Sequence, residues 1–251
     1  MRQNKTDDIL ILIPARMGSS RFPGKPLAPL AGEPMILHVW RRAVAADLGR
    51  VAVATDSDEI AAVIRAAGGT VVMTRADHES GSDRIFEACQ ALDPENRARI
   101  VINLQGDLPT IAPEALRAVL QPLEDEHCDI GTLASIITDP GEITDSNVVK
   151  VVAALGGPGS VANALYFTRS PAPYGQGPYY HHIGIYAYRR AALKRFVELP
   201  PSMLERREKL EQLRALEAGM SIGAACIDSF PLGVDTPADL IRAERLLEQT
   251  S

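Results

Sequence analysis

The sequence predicts an α/β fold built on a mostly parallel sheet, and three observations predict it. In the first half, short β-rich runs alternate with segments of helical period, an order that implies right-handed crossovers. Ile9 to Ile13 is apolar without interruption, as in a strand covered on both faces. The 251 residues are 46% hydrophobic and 23% charged, ordinary values that exclude disorder, collagen and a disulfide scaffold.

The elements follow in order. After Ile9–Ile13 comes a loop rich in Gly, Pro and Ser, from Pro14 to about Pro29. Met35 to Ala46 places Met35, Val39, Ala43 and Ala46 on one helical stripe. Val51 to Ala54 is the next strand; Asp58 can cap a helix through Ala67 that Gly68-Gly69 ends. Val71 to Met73 is a strand, Ser82 or Asp83 opens a helix through Leu92, and Ile100 to Leu104 is a strand. Pro113 suits the first turn of a helix reaching Leu120. Beyond it, Ile130–Ile136, Val148–Ala153, Leu165–Thr168, Ile183–Tyr188 and Ile222–Ile227 are strand-like. Ser170 to Tyr180, rich in Pro, Gly and Tyr, reads as a protruding loop or arm. Helices are expected over Ala191–Val197, over Glu205–Ala218 before Gly219, and from Thr236-Pro237 through Glu248. The whole reads as one domain over 1–251 with an excursion at about 165–190. Its core is a Rossmann-like, mixed but mostly parallel sheet with helices on both faces.

Charge and cysteine usage narrow the function. The net charge of -6 argues against a nucleic-acid or anionic-membrane binder, so a phosphate partner needs a local basic site. No apolar run is long enough to span a bilayer, and Met1 to Asp8 lacks the apolar core of a signal peptide. Cys89, Cys128 and Cys226 are far apart without metal spacing, and read as buried free thiols of a cytoplasmic protein.

The loop from Pro14 to Leu27 carries Arg16, Arg21 and Lys25 and no acidic residue, at the carboxyl end of a strand where open α/β sheets bind ligands. Gly18 and Gly24 let backbone approach an anion. The Gly18 to Gly24-Lys25 spacing is one residue too long for a Walker A loop, and Pro26 stands where Ser or Thr would be needed. The loop is either an anion site or a solvated basic loop. Asp107, after an apolar strand, and Asp235, before a helix, suit Mg²⁺, which takes a few carboxylates plus phosphate oxygens. Equally, Asp107 can be a turn residue and Asp235 a helix cap. Arg169 can fork onto a carboxylate or form a surface ion pair. His182 shares a strand face with Gly184 and Tyr186, as a ligand-facing or simply hydrogen-bonded histidine. Glu211 and Gln212, read mid-helix, are site residues or helix surface. Asp56, His78 and Arg84 accompany Ser80-Gly81-Ser82-Asp83, a helix start that suits a phosphate or base edge, or plain capping.

Taken together, Ile13-Pro14-Ala15-Arg16, Ser20 through Leu27, Thr74 through His78, Ser80 through Arg84, Gln105-Gly106-Asp107, Tyr166 through Arg169, His182 through Tyr186, Leu210 through Arg214 and Gly233 through Pro237 resemble the 3-deoxy-manno-octulosonate cytidylyltransferases (CMP-Kdo synthetases). The likeness runs from about Ile9 to Leu246. Leu108 stands where that family often has an acidic residue, and Ser82-Asp83-Arg84 where it often has Thr-Glu-Arg.

The resemblance implies a cytoplasmic, Mg²⁺-dependent, homodimeric enzyme that joins CTP and Kdo for lipopolysaccharide. It implies nucleotide contacts at Ala15, Arg16, Ser19, Arg21, Lys25, Arg75, Ser80, Gly81, Gln105 and Asp107. Magnesium would fall to Asp107 and Asp235, and the sugar acid to Gln105, Arg169, His182, Glu211 and Gln212. Arg16, Lys25, Asp107 and Asp235 would serve the chemistry. The residues fit independently, because attack on the α-phosphorus of a nucleotide needs cations more than a protein nucleophile. Two other readings remain: a cytidylyltransferase for 8-amino-Kdo or sialic acid, and a CTP-binding protein without turnover.

Overall fold

The computed structural model describes residues 8–18, 22–228 and 230–249. Its chain groups into two compact units, Met1–Leu116 with Pro231–Ser251, and Arg117–Phe230.

In the first unit, β1 (Ile9–Ala15) leads through a 3₁₀ turn (Lys25–Leu27) into the short hairpin β2 (Pro29–Leu30) and β3 (Glu33–Pro34). Ala31 and Gly32 both have positive φ, 49° and 82°, the left-handed pair that two-residue hairpins use. Then come α1 (Met35–Ala45), β4 (Arg50–Thr55), α2 (Asp58–Ala66), β5 (Thr70–Met73), α3 (Gly81–Leu92), β6 (Ile100–Asn103) and α4 (Pro113–Ala118). The strand order β5-β4-β1-β6 is parallel at every pairing. Right-handed crossovers along that order put α1 and α2 on one face and α3 on the other. Helix starts differ slightly from expectation. Ser57, not Asp58, caps α2 through Ile60 N–H, and Ser80, not Ser82 or Asp83, caps α3 in a capping box with Asp83.

The second unit holds β7 (Ile130–Ile136), α5 (Pro140–Thr144), β8 (Lys150–Ala153), β9 (Val161–Thr168), β10 (Tyr180–Arg189), α6 (Arg190–Glu198), α7 (Met203–Glu208), α8 (Leu213–Glu217) and β11 (Ile222–Ile227). Strand order there is β10-β7-β11-β9-β8, and β10 also meets β8 at His181↔Lys150. Here the mostly parallel expectation is corrected. Only β11–β7 is parallel among the described pairings, while β10–β7, β10–β8, β11–β9 and β8–β9 are antiparallel. The connections β8–β9 and β9–β10 carry no helix, so no parallel crossover can form. A second correction concerns Glu205–Ala218. Lys209 adopts φ 56° and splits the expected helix into α7 and α8, which leaves Glu211 and Gln212 in the turn. Tyr180, read as part of the arm, is buried strand whose hydroxyl donates to Leu155 O at 2.6 Å.

The C-terminal α9 (Pro237–Gln249) belongs to the first unit. Ala243 and Leu247 join Leu30, Met35 and Val234 in a buried cluster that Phe22, Leu232 and Leu240 flank. This packing returns the chain end to the loop after β1 and so delivers Asp235 to that loop. Among the described residues no helix is long and apolar enough to cross a membrane.

Candidate active site

Chain growth from β1 proceeds one way to β4 and β5, then reverses to β6. Such a reversal opens a crevice at the carboxyl ends of the two central strands. A cleft of about 340 Å³ lies there, lined by Pro14, Ala15, Arg16 and Gly18 after β1 and by Gln105, Gly106 and Asp107 after β6. Ligand pockets run from ~300 Å³ upward. Gly106 is required by the close approach of these loops: a Cβ on it would meet the Pro14 carbonyl oxygen at 2.8 Å. Gly24, at φ 70°, turns the chain into the 3₁₀ segment and aims Lys25 into the cleft.

Lys25 is the hub. Its Nζ donates to Asp107 Oδ2 at 3.0 Å and to Asp235 Oδ1 at 3.3 Å. The Val234 N–H donates to Asp107 O at 2.9 Å, which sets the segment bearing Asp235 beside Asp107. Asp235 is not the cap of α9. Thr236 Oγ1 accepts the Asp239 N–H, while the Asp239 carboxylate accepts the N–H groups of Asp235 and Thr236. Burial alone would raise the Asp239 carboxyl, but the bonds it accepts from the Thr236 hydroxyl, from Arg242 and from these two N–H groups hold it below its usual value. The two cleft carboxylates thus converge on one cation. Among the described residues no group of three or more His, Cys, Asp or Glu could hold a metal. A two-carboxylate set fits Mg²⁺, which keeps waters and takes phosphate oxygens.

A further wall comes from the approach to α3. His78, Glu79, Ser80, Gly81 and Arg84 line it. Arg84 is buried and donates to Thr74 Oγ1 at 2.6 Å and to Asp56 Oδ2 at 3.1 Å. Of the expected nucleotide residues, Ala15, Arg16, Lys25, Ser80, Gly81, Gln105 and Asp107 share this one cleft with Asp235. Arg75 does not line it; its Nε pairs with Asp77 at 3.0 Å and both side chains are exposed. Ser19 and Arg21 lie outside the described residues. Glu79 and Gly106 were not singled out from sequence. Gly106 carried a signal, as the glycine directly between a strand end and a candidate acid, whereas Glu79 carried none.

The remaining expected residues lie in the second unit. Between Ile183 and Tyr186 the β10–β7 register shifts, and Thr132 Oγ1 lies 3.2 and 2.8 Å from the Ile183 and Ile185 carbonyls, which accept its single proton. The His182 Nε2–H therefore donates to Thr132 Oγ1, across 3.0 Å, and Nδ1 is the acceptor. Burial, and then His181, lower the His182 pKa to about 3, so the ring is neutral at physiological pH. His182 and Tyr186 do share a face, with centroids 5.6 Å apart. Burial, then Tyr188 and Glu211, raise the Tyr186 hydroxyl well above its usual range, which brings Glu211 into this group. Gln212 is buried in the turn before α8.

Arg169 is held by backbone carbonyls and not by a surface ion pair. Its Nε donates to Glu208 O at 2.8 Å, Nη1 to Ser146 O at 2.8 Å and Nη2 to Lys209 O at 3.4 Å. From below, the fully buried Lys150 donates to Arg169 O at 2.8 Å. This arrangement uses three of the five guanidinium N–H donors and fixes the plane of the rest.

The chain is similar to known cytidylyltransferases along its length. The sequence model of a family described as cytidylyltransferase matches residues 10–222. A 3-deoxy-manno-octulosonate cytidylyltransferase of Azorhizobium caulinodans is 65% identical over 240 residues, 96% of this chain and 96% of that protein. The protein of the same name from Rhizobium johnstonii is 58% identical over 253 residues and all of both chains. A solved CMP:2-keto-3-deoxy-manno-octonic acid synthetase complexed with CTP superposes with a TM-score of 0.88 at 42% identity, over 97% of this chain and 99% of that one.

Proposed function

The chain belongs to the 3-deoxy-manno-octulosonate cytidylyltransferase family, and from that premise we propose how its own residues carry the reaction. It is a nucleotidyltransferase that transfers CMP from CTP to Kdo and releases pyrophosphate, a step toward lipopolysaccharide. The observation that carries the residue assignment is the convergence of Lys25, Asp107 and Asp235 at the carboxyl ends of β1 and β6.

The anomeric hydroxyl of the sugar acid attacks the α-phosphorus, the new O–P bond forms, and the bond to the pyrophosphate oxygen breaks. Negative charge grows on the phosphoryl and leaving oxygens. Arg16 and Lys25 supply fixed positive charge to those oxygens. Asp107 and Asp235 would hold Mg²⁺, which when bound supplies Lewis acidity to the phosphate. Ser80, Gly81 and Gln105 serve the nucleoside end of CTP. Arg169, His182, Glu211 and Gln212 of the second unit serve the sugar acid. Cys89, Cys128 and Cys226 are buried and form no disulfide among the described residues, which suits the reducing cytoplasm.

Arg169→Lys tests the sugar assignment. Lysine cannot span the three carbonyls and keep a planar face for a carboxylate. Hydrogen bonds to charged groups are worth about 1.5–3 kcal/mol, so KM for Kdo rises roughly 10- to 150-fold with KM for CTP unchanged. A fall in melting temperature with both KM values intact leaves Arg169 as a purely structural residue.

We also propose a homodimer formed through the second unit. Leu165 is 70% exposed and Tyr174 lies fully in water on the arm, an arrangement that association would relieve. Wild-type protein at micromolar concentration then sediments as a dimer and the Leu165→Ser, Tyr174→Ser double variant as a monomer. A monomeric wild type contradicts the proposal.

A pyrophosphate-release assay with CTP and a panel of acids tests the reaction itself. Release with Kdo well above that with 8-amino-Kdo or sialic acid is expected. CTP binding without release by any acid contradicts it.

A further inference from the structure

One wall of the cleft is the loop that leads into α3, and its geometry is set from that helix. Arg84 and Glu87 lie one turn apart on that helix and share a face. Arg84 grips the loop at Thr74. Glu87 grips it twice with one oxygen: Oε2 accepts the Arg75 backbone N–H at 3.1 Å and is hydrogen-bonded to His78 Nε2. The loop then ends at Ser80, the cap of α3. Of the two groups that Glu87 holds, the His78 ring lines the cleft, and its side chain is only 9% exposed.

We propose that Glu87 is a positioning residue for nucleotide binding, holding segment 74–80 and the His78 ring in the shape that receives the nucleoside end of CTP. The inference rests on the assignment of the cleft to CTP made above. Lys25, Asp107 and Asp235 meet at one point of the cleft, which the assignment above gives to the phosphates; the nucleoside end is then left with the wall of His78, Ser80 and Gly81, where the charge of Arg84 is already taken up by Asp56.

Helix α3 does not need Glu87 for its own ends, because the Ser80–Asp83 capping box already satisfies its first turn. The carboxylate reaches away from the helix to the loop. Its ionised form is favoured there: burial works against it, and the bonds from His78 and the Arg75 N–H more than reverse that. In its absence the Arg75 N–H, on an exposed stretch, finds water instead, and the His78 ring loses the bond that fixes it. What is lost is preorganisation. A loop that must be ordered at each binding event weakens ligand affinity without altering the reacting groups.

The test is steady-state kinetics with calorimetric CTP binding on Glu87→Ala and Glu87→Gln. The alanine variant raises KM for CTP about 10-fold and weakens CTP binding in parallel, with kcat and KM for Kdo within about twofold of wild type. Gln keeps an acceptor for the Arg75 N–H, so its change is about threefold. Should the alanine variant fail to fold, the glutamine variant decides alone. A lower melting temperature with unchanged KM and Kd for CTP overturns the inference. If wild-type protein binds CTP but does not turn over Kdo, the proposed function fails, while the calorimetric comparison still decides the role of Glu87.

Discussion

Replacing Lys25 by Ala lowers kcat/KM for CTP by about 100- to 1000-fold, because one well-placed transition-state cation is worth about 2.7–4 kcal/mol. Two causes act together. The phosphoryl oxygens lose an ammonium that the Gly24 turn aims into the cleft. Asp107 and Asp235, which that ammonium bridges, are left to repel each other. Lys25→Arg separates these causes, since it restores charge but not the compact head that fits between the two carboxylates. It should recover part of the rate. Near-normal kcat/KM in the alanine variant would falsify the claim that Lys25 meets the nucleotide in the transition state.

The second large effect concerns the acids. Asp107→Asn and Asp235→Asn each lower kcat by about 100-fold or more at limiting Mg²⁺, since loss of metal Lewis acidity is worth several kcal/mol. Because both carboxylates converge on one point beside Lys25, the double variant is little worse than either single one. Rates across a magnesium titration check this. Since Thr236 and not Asp235 caps α9, no helix-capping loss complicates the Asp235 variant. An Asp235→Asn enzyme that saturates at the wild-type magnesium concentration, at the wild-type rate, removes Asp235 from the metal site.

What could be read from sequence divides along physical lines. The first unit was legible because each step is local. A continuous apolar strand, a Gly-rich turn and a periodic helix repeat in order, and parallel order follows from the crossover rule. The cleft residues Arg16, Lys25 and Asp107 were legible for the same reason: Arg16 and Asp107 lie just after strand ends, and Lys25 in the Gly-rich loop that follows β1. Asp235 was ambiguous until α9 packed back on the β2–β3 hairpin, because its choice between cap and cation partner depends on a contact 210 residues away.

The second unit resisted reading for the opposite reason. Its antiparallel pairings depend on long-range register, and the shift near Ile183 leaves no local mark beyond Gly184. The helix break at Lys209 was invisible because lysine rarely adopts φ > 0 and no glycine announces the turn. The periodicity of Leu210 and Leu213 ran straight through it. Arg169 was located correctly at a strand end, but its engagement with the Ser146, Glu208 and Lys209 carbonyls comes from segments that sequence order cannot bring together.

The central claim is that the cleft after β1 and β6 holds the triphosphate of CTP against Arg16 and Lys25, with magnesium on Asp107 and Asp235. A crystal structure of the protein with CTP and Mg²⁺ tests it most directly. The account predicts phosphate oxygens within hydrogen-bond distance of Arg16 and Lys25, and a metal about 2.0–2.1 Å from a carboxylate oxygen of each aspartate. A nucleotide seated elsewhere, or a metal that touches neither Asp107 nor Asp235, would contradict it.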